Sequence, residues 1–520
     1  MIFKSPYPSA HFPEIPLTDF VFEHALQRAA KNAIIDGFSS RAYTYGDLYH
    51  AIRRAAFGLA ERGFRKGDVL ALYSPNMPEY PIAFHAASSL GGIVTTINPL
   101  FTARELAQQL NDSRASFLVT VPPLLDKVQE AVKTSSVREI YVFGASNDAK
   151  PFSALLQNSG AITAPEINPR SDIVALPYSS GTTGFPKGVM LTHHNLVANM
   201  IQIDLSACHT TESDTIICVL PMFHIYGMAV VMNLGLRVGA TIITMPRFDF
   251  ESLLKIMQQY EVSFAHLVPP IILALAKNPI VDQYKFPALK AIFSGAAPLG
   301  PEVIRACKAR LGCLVRQGYG LTETSPATHL NLAEITKDGS VGVCVANTEC
   351  KIVDISTGKE LGSNQPGEIW VRGPQVMKGY LNAPDATAAI LDSDGWLKTG
   401  DIGYADEEGH FYIVDRVKEL IKYHGCQVPP AELEALLLGH PDVLDAAVIP
   451  SPDPEAGEVP KAFIVPKSSN ASLDAILEFV AANVAPTKKI RKAEFIDQIP
   501  KSPSGKILRR LLVERERAKG

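Results

Sequence analysis

No stretch of this sequence stays apolar long enough to cross a bilayer. Met228 to Met245 is cut by Arg237, with three glycines close by, and Phe264 to Ala276 contains Pro269 and Pro270, so a spanning helix of about 20 apolar residues is excluded. Charge of one sign is missing too. The 49 basic and 53 acidic residues leave a net charge of -4 spread along the chain, which offers no basic stripe to nucleic acid. Paired cysteines are also absent. The seven, at 208, 218, 307, 313, 344, 350 and 426, are odd in number, scattered and without a CxxC pair, which suits reduced thiols better than a disulfide frame or a zinc site. The opening MIFKSPYPSAHFPEIPL is broken by prolines and His11 where a secretory leader would carry its apolar core. The closing RERAKG is neither a peroxisomal tripeptide nor a prenylation box, so a soluble, cytoplasmic protein is expected.

What the chain has is length and alternation. Its 520 residues, 47% apolar and 20% charged, are too many for one core and imply two or more domains. From about 40 to 330, apolar runs such as VLALYS, GIVTTIN, SFLVT, TIICVLP, ATIITMP, FAHLVPP, LKAIFSG and LVRQGYG alternate with helical segments such as ARELAQQL, LLKIMQQY and EVIRACKARLG. That pattern predicts an α/β fold of stacked βαβ units around largely parallel sheets, with ligands gathered beyond the carboxyl ends of the strands. Between about 340 and 415 the texture changes to ECKIVD, GEIWVRG and HFYIVD, separated by turns such as STGK, NQPG and DEEG, which predicts small antiparallel hairpins or a barrel. After Asp415-Arg416 a compact α+β stretch follows, from PAELEALLLG to SPSGKILRRLL. The expected division is therefore 1–415 and 416–520, with DRVKE as a hinge and no internal repeat.

The most informative segment is YSSGTTGFPKG, Tyr178 to Gly188, after the apolar run Ile173 to Leu176. Glycines at 181, 184 and 188 let backbone N–H groups converge on an anion; Ser179, Ser180, Thr182 and Thr183 add hydroxyl donors and Lys187 adds charge. A Walker loop requires Gly-Lys-Ser/Thr, and here Pro186 precedes the lysine and Gly188 follows it, so that motif is excluded. A flexible linker would share the composition. It would not be flanked by a buried-strand run on one side and by VMLTHHNLVANM, a strand and then a helix, on the other. His193-His194 read as polar residues at that helix start, since adjacent side chains diverge and make a poor metal pair.

Ordered motifs carry a resemblance over nearly the whole chain: YSSGTTGFPKGVMLTH, LPMFHIYG, SGAAPLG, GYGLTE, GEIWVRG, GWLKTGDIGY, IVDRVKELIKYHGCQVPPAELE and IPKSPSGKILRR. The sequence resembles the acyl-adenylate-forming superfamily, which includes acyl-CoA synthetases, luciferases and peptide-synthetase adenylation domains, and within it the 4-coumarate:CoA ligases most. The resemblance implies a large N-terminal domain with a small barrel-like part, a small mobile C-terminal domain, and the use of ATP, Mg²⁺ and coenzyme A. It implies that Ser179, Ser180, Gly181, Thr182, Thr183, Gly184 and Lys187 hold the β- and γ-phosphates. Thr322 and Glu323 would serve the α-phosphate and Mg²⁺. Gly295, Ala296, Ala297, Gln317, Gly318, Tyr319 and Gly320 would frame the adenine, and Asp401 would accept from the ribose hydroxyls, with Arg416 and Lys418 nearby.

Lys506 matches the lysine that reaches from the small domain to the carboxylate and α-phosphate during adenylation; a solvated lysine in the basic KILRR tail is the competing reading, against which Pro503-Ser504-Gly505 makes a directing turn. Rotation of the small domain would exchange Lys506 for a face bearing Lys422, Gly425 and Gln427, with Arg247 and His424 toward CoA. His424 departs from the lysine usual there, and neutral imidazole carries less charge near pH 7. His224 is open to three readings: general base, gate for the acid, or core histidine. The acid pocket would be lined by Tyr226, Ser294, Gly295, Gly318, Ser325, Pro326 and Ala327, small residues facing one aromatic ring, which suits a flat cinnamic or coumaric acid. A medium- or long-chain fatty acid, a luciferase-like oxygenation and a catalytically silent binding module are the rival functions, and a monomer or a homodimer is expected.

Overall fold

The computed structural model describes residues 1–520 except 161–164, 180–185, 209, 332–336, 425, 454, 503–504 and 518–520. Its described strands form four sheets, two of nine strands and two of five. In the first, Val69–Tyr73 lies between Ile93–Ile97 and Phe117–Thr120, all parallel. Every residue of Val69–Tyr73 is buried, as expected of a strand covered on both faces by crossover helices. The second sheet is parallel from Asn32–Asp36 through Thr241–Thr244, Thr215–Cys218, Phe264–Leu267 and Ala291–Ser294 to Leu314–Gly320. It turns antiparallel at Ala327–Leu330 and Val343–Cys344. The apolar runs of the sequence are thus its central strands.

The third sheet is antiparallel: Ile2–Lys4, Glu349–Val353, Gly367–Arg372, Leu397–Ala405 and Phe411–Arg416. It has a core of its own, built on Ile352, Ile369, Val371 and Phe411. Its first strand comes from the chain's beginning, a pairing no local pattern announces. The fourth sheet starts beyond Arg416. Ile421–Tyr423, Cys426–Val428, Val443–Asp453, Gly457–Pro466 and Lys492–Phe495 pack with the helices Pro430–Gly439 and Leu473–Ala482 around Leu433, Val448, Ile464 and Ile476.

The described ends of the Tyr178 to Gly188 segment pair with each other. Tyr178–Ser179 and Lys187–Thr192 pair antiparallel, with Ser179 opposite Lys187. Thr192 then caps the helix His193–Ile203, its hydroxyl accepting from the Asn195 N–H while the Asn195 side chain returns the bond to the cap. His193 and His194 do open this helix, but both are buried, and His193 Nδ1 accepts from the Leu17 N–H at 2.9 Å. Beyond Thr215–Cys218, the segment Tyr226–Leu234 is a π-helix, a form that periodicity does not announce and that recurs at functional sites.

Candidate active site

The carboxyl ends of the second sheet, the base of the hairpin and the last strands of the third sheet face one crevice. The register alone sets part of it. Asp401 on Leu397–Ala405 lies directly opposite Arg416 on Phe411–Arg416, and Ser294 lies opposite Gln317. The Asp401 carboxylate, 4% exposed, accepts from the Tyr319 hydroxyl at 2.7 Å and from Arg416 Nε at 3.0 Å. Burial raises its pKa, while Arg416 and Tyr319 oppose the rise. Each carboxylate oxygen still has a lone pair to offer a vicinal diol. The end of the strand Leu314–Gly320 can close on the Pro326-Ala327 backbone because Gly320 carries no Cβ: one would stand 1.9 Å from the Pro326 carbonyl oxygen. Gln317 braces the wall, its Oε1 accepting from the Leu299 N–H at 2.9 Å, behind Ala296 in the left-handed region at φ 74°.

Beside the hairpin, Glu323 is the organiser. Its Oε1 accepts from the Ser179 hydroxyl and the Tyr380 hydroxyl, both at 2.7 Å, and its backbone carbonyl accepts from the Met377 N–H at 2.9 Å. Lys187 stands with its ammonium 5.7 Å from the centre of the Tyr380 ring. Tyr178 anchors the hairpin base by donating to Asp112 at 2.6 Å. Ser180, Gly181, Thr182, Thr183 and Gly184 lie outside the described residues.

Lys506 enters this crevice from the small domain. Gly505, at φ 77°, packs so closely on Val268 that a Cβ would meet its side chain at 3.0 Å. Burial and the neighbouring Arg416 push the lysine's pKa down, and Asp401, Glu323 and Glu419 hold it up. A basic side chain from the tail and the acids of the large domain therefore share one electrostatic neighbourhood. The tail is secured behind the lysine by Arg509, which bonds Glu419 at 2.6 Å and Glu434 at 2.7 Å.

His224 borders the same space, and burial followed by the charge of Lys506 lowers its pKa to about 3. A ring that remains neutral to that point is a poor general base near neutrality. The Tyr226 N–H donates to its Nδ1 at 3.4 Å, which leaves the proton on Nε2. The Pro221–His224 approach is held by Asn76, whose amide donates to the carbonyls of Cys218 and Leu220 and accepts from the Met222 N–H. The Tyr226 ring lies over Gly295, where a Cβ would come within 2.5 Å of it, and its hydroxyl is 3.1 Å from His266 Nδ1. His266 is buried, stacked on Phe293 and, by burial, brought to a pKa of about 4. Ser294 Oγ is buried without a hydrogen-bond partner among the described residues. Ser325 turns its hydroxyl to the Gln375 carbonyl at 2.9 Å. Ala327 is held through both N–H and C=O by Asn199.

Other expected residues are exposed. Lys422 and His424 are exposed on the hairpin of the small domain, and their backbone N–H groups bond Glu458 and Ala456 of that same domain. Gly425 and the Gln427 side chain lie outside the description; the Gln427 backbone pairs with Lys422. Arg247 is exposed, 5.8 Å from the Phe38 ring, and Lys418 is exposed. Sequence reasoning missed Tyr380, Asp112, Asn76 and His266, each of which acts through a partner at least 40 positions away.

The sequence that builds this geometry matches two family models. The AMP-binding enzyme model covers residues 21–381 and its C-terminal domain model covers 432–506, and the chain belongs to the AMP-binding enzymes. Among individual relatives, 4-coumarate–CoA ligase 2 of Nicotiana tabacum is 45% identical over 98% of this chain and 96% of its own. Of solved structures, the anthranilate CoA ligase AuaEII, in complex with anthranoyl-AMP, superposes with a TM-score of 0.92 at 25% identity, over 97% of this chain and 98% of its own. ATP-bound MatB from Rhodopseudomonas palustris gives 0.88 at 28% identity, over 97% of this chain and 99% of its own, and the apo form of MatB gives 0.79.

Proposed function

We propose that this chain is an AMP-forming ligase that joins a cinnamic- or 4-coumaric-type acid to coenzyme A at the expense of ATP. The observation that carries the reading is Lys506, half-buried within the electrostatic reach of Asp401, Arg416 and Glu323 and charging the neighbourhood of His224. A carboxylate that attacks the α-phosphorus of ATP meets like charge. Its oxygen forms the new P–O bond as the bond to pyrophosphate breaks, and cations aimed at the developing charge lower the barrier. Lys506 is assigned to that point, Lys187 and the hydroxyl loop to the departing phosphates, and Asp401 to the ribose. Closer agreement with ATP-bound than with apo MatB supports reading this arrangement as the adenylating one.

Glu323, with Thr322 and Ser179 beside it, is a hard-oxygen set of the kind Mg²⁺ prefers, and these residues would hold the ion. When bound, it would supply positive charge against the phosphates. In the second step the CoA sulfur bonds the acyl carbon, loses its proton, and AMP leaves. Lys422, Gly425, Gln427, Arg247 and His424 are assigned to that step, reached by rotation about a boundary at 415/416. His224 is assigned as a neutral wall that gates the acid.

For the acid, Tyr226 over Gly295 supports a flat ring, and the buried Ser294 hydroxyl is a group that a phenolic substrate can satisfy. Among the described residues no helix is long and apolar enough to cross a membrane, and five buried free cysteines accord with a cytoplasmic setting. A panel of acids assayed for AMP release with CoA present tests the reading. Hydroxycinnamates should give the highest kcat/KM, and a preference for fatty acids would overturn the assignment of the pocket.

A further inference from the structure

Behind the nucleotide wall, two sheets meet at a cluster that the ligase chemistry does not use. His329 on Ala327–Leu330 pairs directly with Cys344 on Val343–Cys344, and Cys350 on Glu349–Val353 reaches in from the third sheet. All three are at most 1% exposed. His329 Nε2 stands 3.6 Å from Cys344 Sγ and 3.4 Å from Cys350 Sγ, and the three donor atoms lie within 4.8 Å of one another. In a tetrahedral zinc centre, bonds of about 2.0–2.1 Å to nitrogen and about 2.3 Å to sulfur put the two donors roughly 3.5 Å apart. Both nitrogen–sulfur spacings therefore already match a metal's coordination edges.

The imidazole is also turned and protonated for the task. The Thr328 hydroxyl donates to the Tyr319 carbonyl at 3.2 Å, so it can only accept from His329 Nδ1, 3.0 Å away. That bond places the ring proton on Nδ1 and leaves the Nε2 lone pair facing the two sulfurs, the arrangement by which an outer hydrogen bond prepares a histidine ligand. The rings of Phe411, at 4.2 Å, and Tyr319, at 5.7 Å, enclose the imidazole. In such a dry site net charge is costly. Two thiolates and a neutral imidazole around a divalent ion sum to zero, each thiol giving up its proton to solvent as its sulfur–metal bond forms.

We propose that His329, Cys344 and Cys350 bind one thiophilic divalent cation, zinc in the first place, at the junction of the second and third sheets. The site lies one residue pairing from the nucleotide wall. His329 is opposite Tyr319, whose hydroxyl bonds Asp401, so an ion held here would stiffen the strand that carries Tyr319.

The test uses the full-length, untagged protein purified without chelator from zinc-supplemented cells. Elemental mass spectrometry should find about one zinc per chain, the count that a single centre holds. C344S and C350S should each lose at least tenfold. The same protein grown with cadmium should show a sulfur-to-cadmium charge-transfer band that both variants lack. Zinc below a tenth of an equivalent in the wild-type protein would overturn the proposal, and so would undiminished zinc in the double serine variant. The wild-type metal content decides even where a variant fails to fold.

Discussion

Two lysines of the small domain, Lys506 and Lys422, stand in opposite situations. Lys506 is drawn into the crevice of the large domain, where burial and Arg416 lower its pKa. Lys422 is exposed on the Ile421–Tyr423 strand, its backbone tied to Glu458. The difference teaches that two lysines of one small body can differ wholly in surroundings, and the proposed rotation would exchange one for the other. The tie between Arg509 and Glu419 joins the tail behind Lys506 to the hinge region, so withdrawing the lysine and turning the hinge are a single movement in this reading.

The comparison breaks most sharply at Lys506. Lys506→Ala should lower ATP–pyrophosphate exchange by about 10²–10³-fold, the usual loss for one charge-stabilising donor, while thioester formation from supplied acyl-adenylate changes little. Equal loss in both assays would dissolve the distinction between the faces. Lys422→Ala is the mirror image, with thioester formation reduced by about tenfold to a hundredfold and pyrophosphate exchange preserved; a fall in exchange would place Lys422 in the first step.

The wall that does not move offers a control. His266→Ala removes one partner of the Tyr226 hydroxyl and should shift the kcat/KM ratio between 4-coumarate and cinnamate by about tenfold, near 1.4 kcal/mol, with KM for ATP unmoved; an unchanged ratio would remove His266 from the pocket. A smaller effect concerns pH. A lysine with a lowered pKa loses its proton earlier as pH rises, so kcat/KM for adenylation should decline below the pH at which an ordinary lysine discharges. Lys506→Arg, charged throughout, should abolish that alkaline limb. A limb that persists in the arginine variant belongs to another group. Smallest of all, His424→Lys should lower KM for CoA about two- to threefold by adding charge at an exposed position, and a constant KM would show that this hairpin end does not meet the nucleotide.

Much of the frame was legible from residues alone. Apolar runs such as VLALYS and FAHLVPP became central parallel strands because burial on both faces demands continuous hydrophobicity. His193-His194 read as the polar start of a helix, and that helix is there, although the Thr192 cap that begins it was seen only in the structure. The Tyr178 to Gly188 segment read as an anion loop from its glycines and hydroxyls, although its place on an antiparallel hairpin came from the pairing of Ser179 with Lys187. Tyr380 on Glu323, Asn76 beneath the Met222 turn and Ile2–Lys4 beside Glu349–Val353 were not legible. Each joins residues at least 57 positions apart, and such contacts leave no period within a window.

The cysteines mark the boundary most clearly. Read along the chain, Cys344 and Cys350 are two of a scattered set, with His329 fifteen residues away from the nearer; only the pairing of Ala327–Leu330 with Val343–Cys344, and the arrival of the third sheet, bring the donors together. By itself the sequence determined the alternation of layers, the chemistry available at each loop and the family to which the chain belongs, because hydrophobic period and residue type are local properties. The tertiary structure alone decided which lysine faces the crevice, which acids it meets there and which histidines are kept neutral, because burial and charge pairing depend on neighbours that the chain supplies from far away.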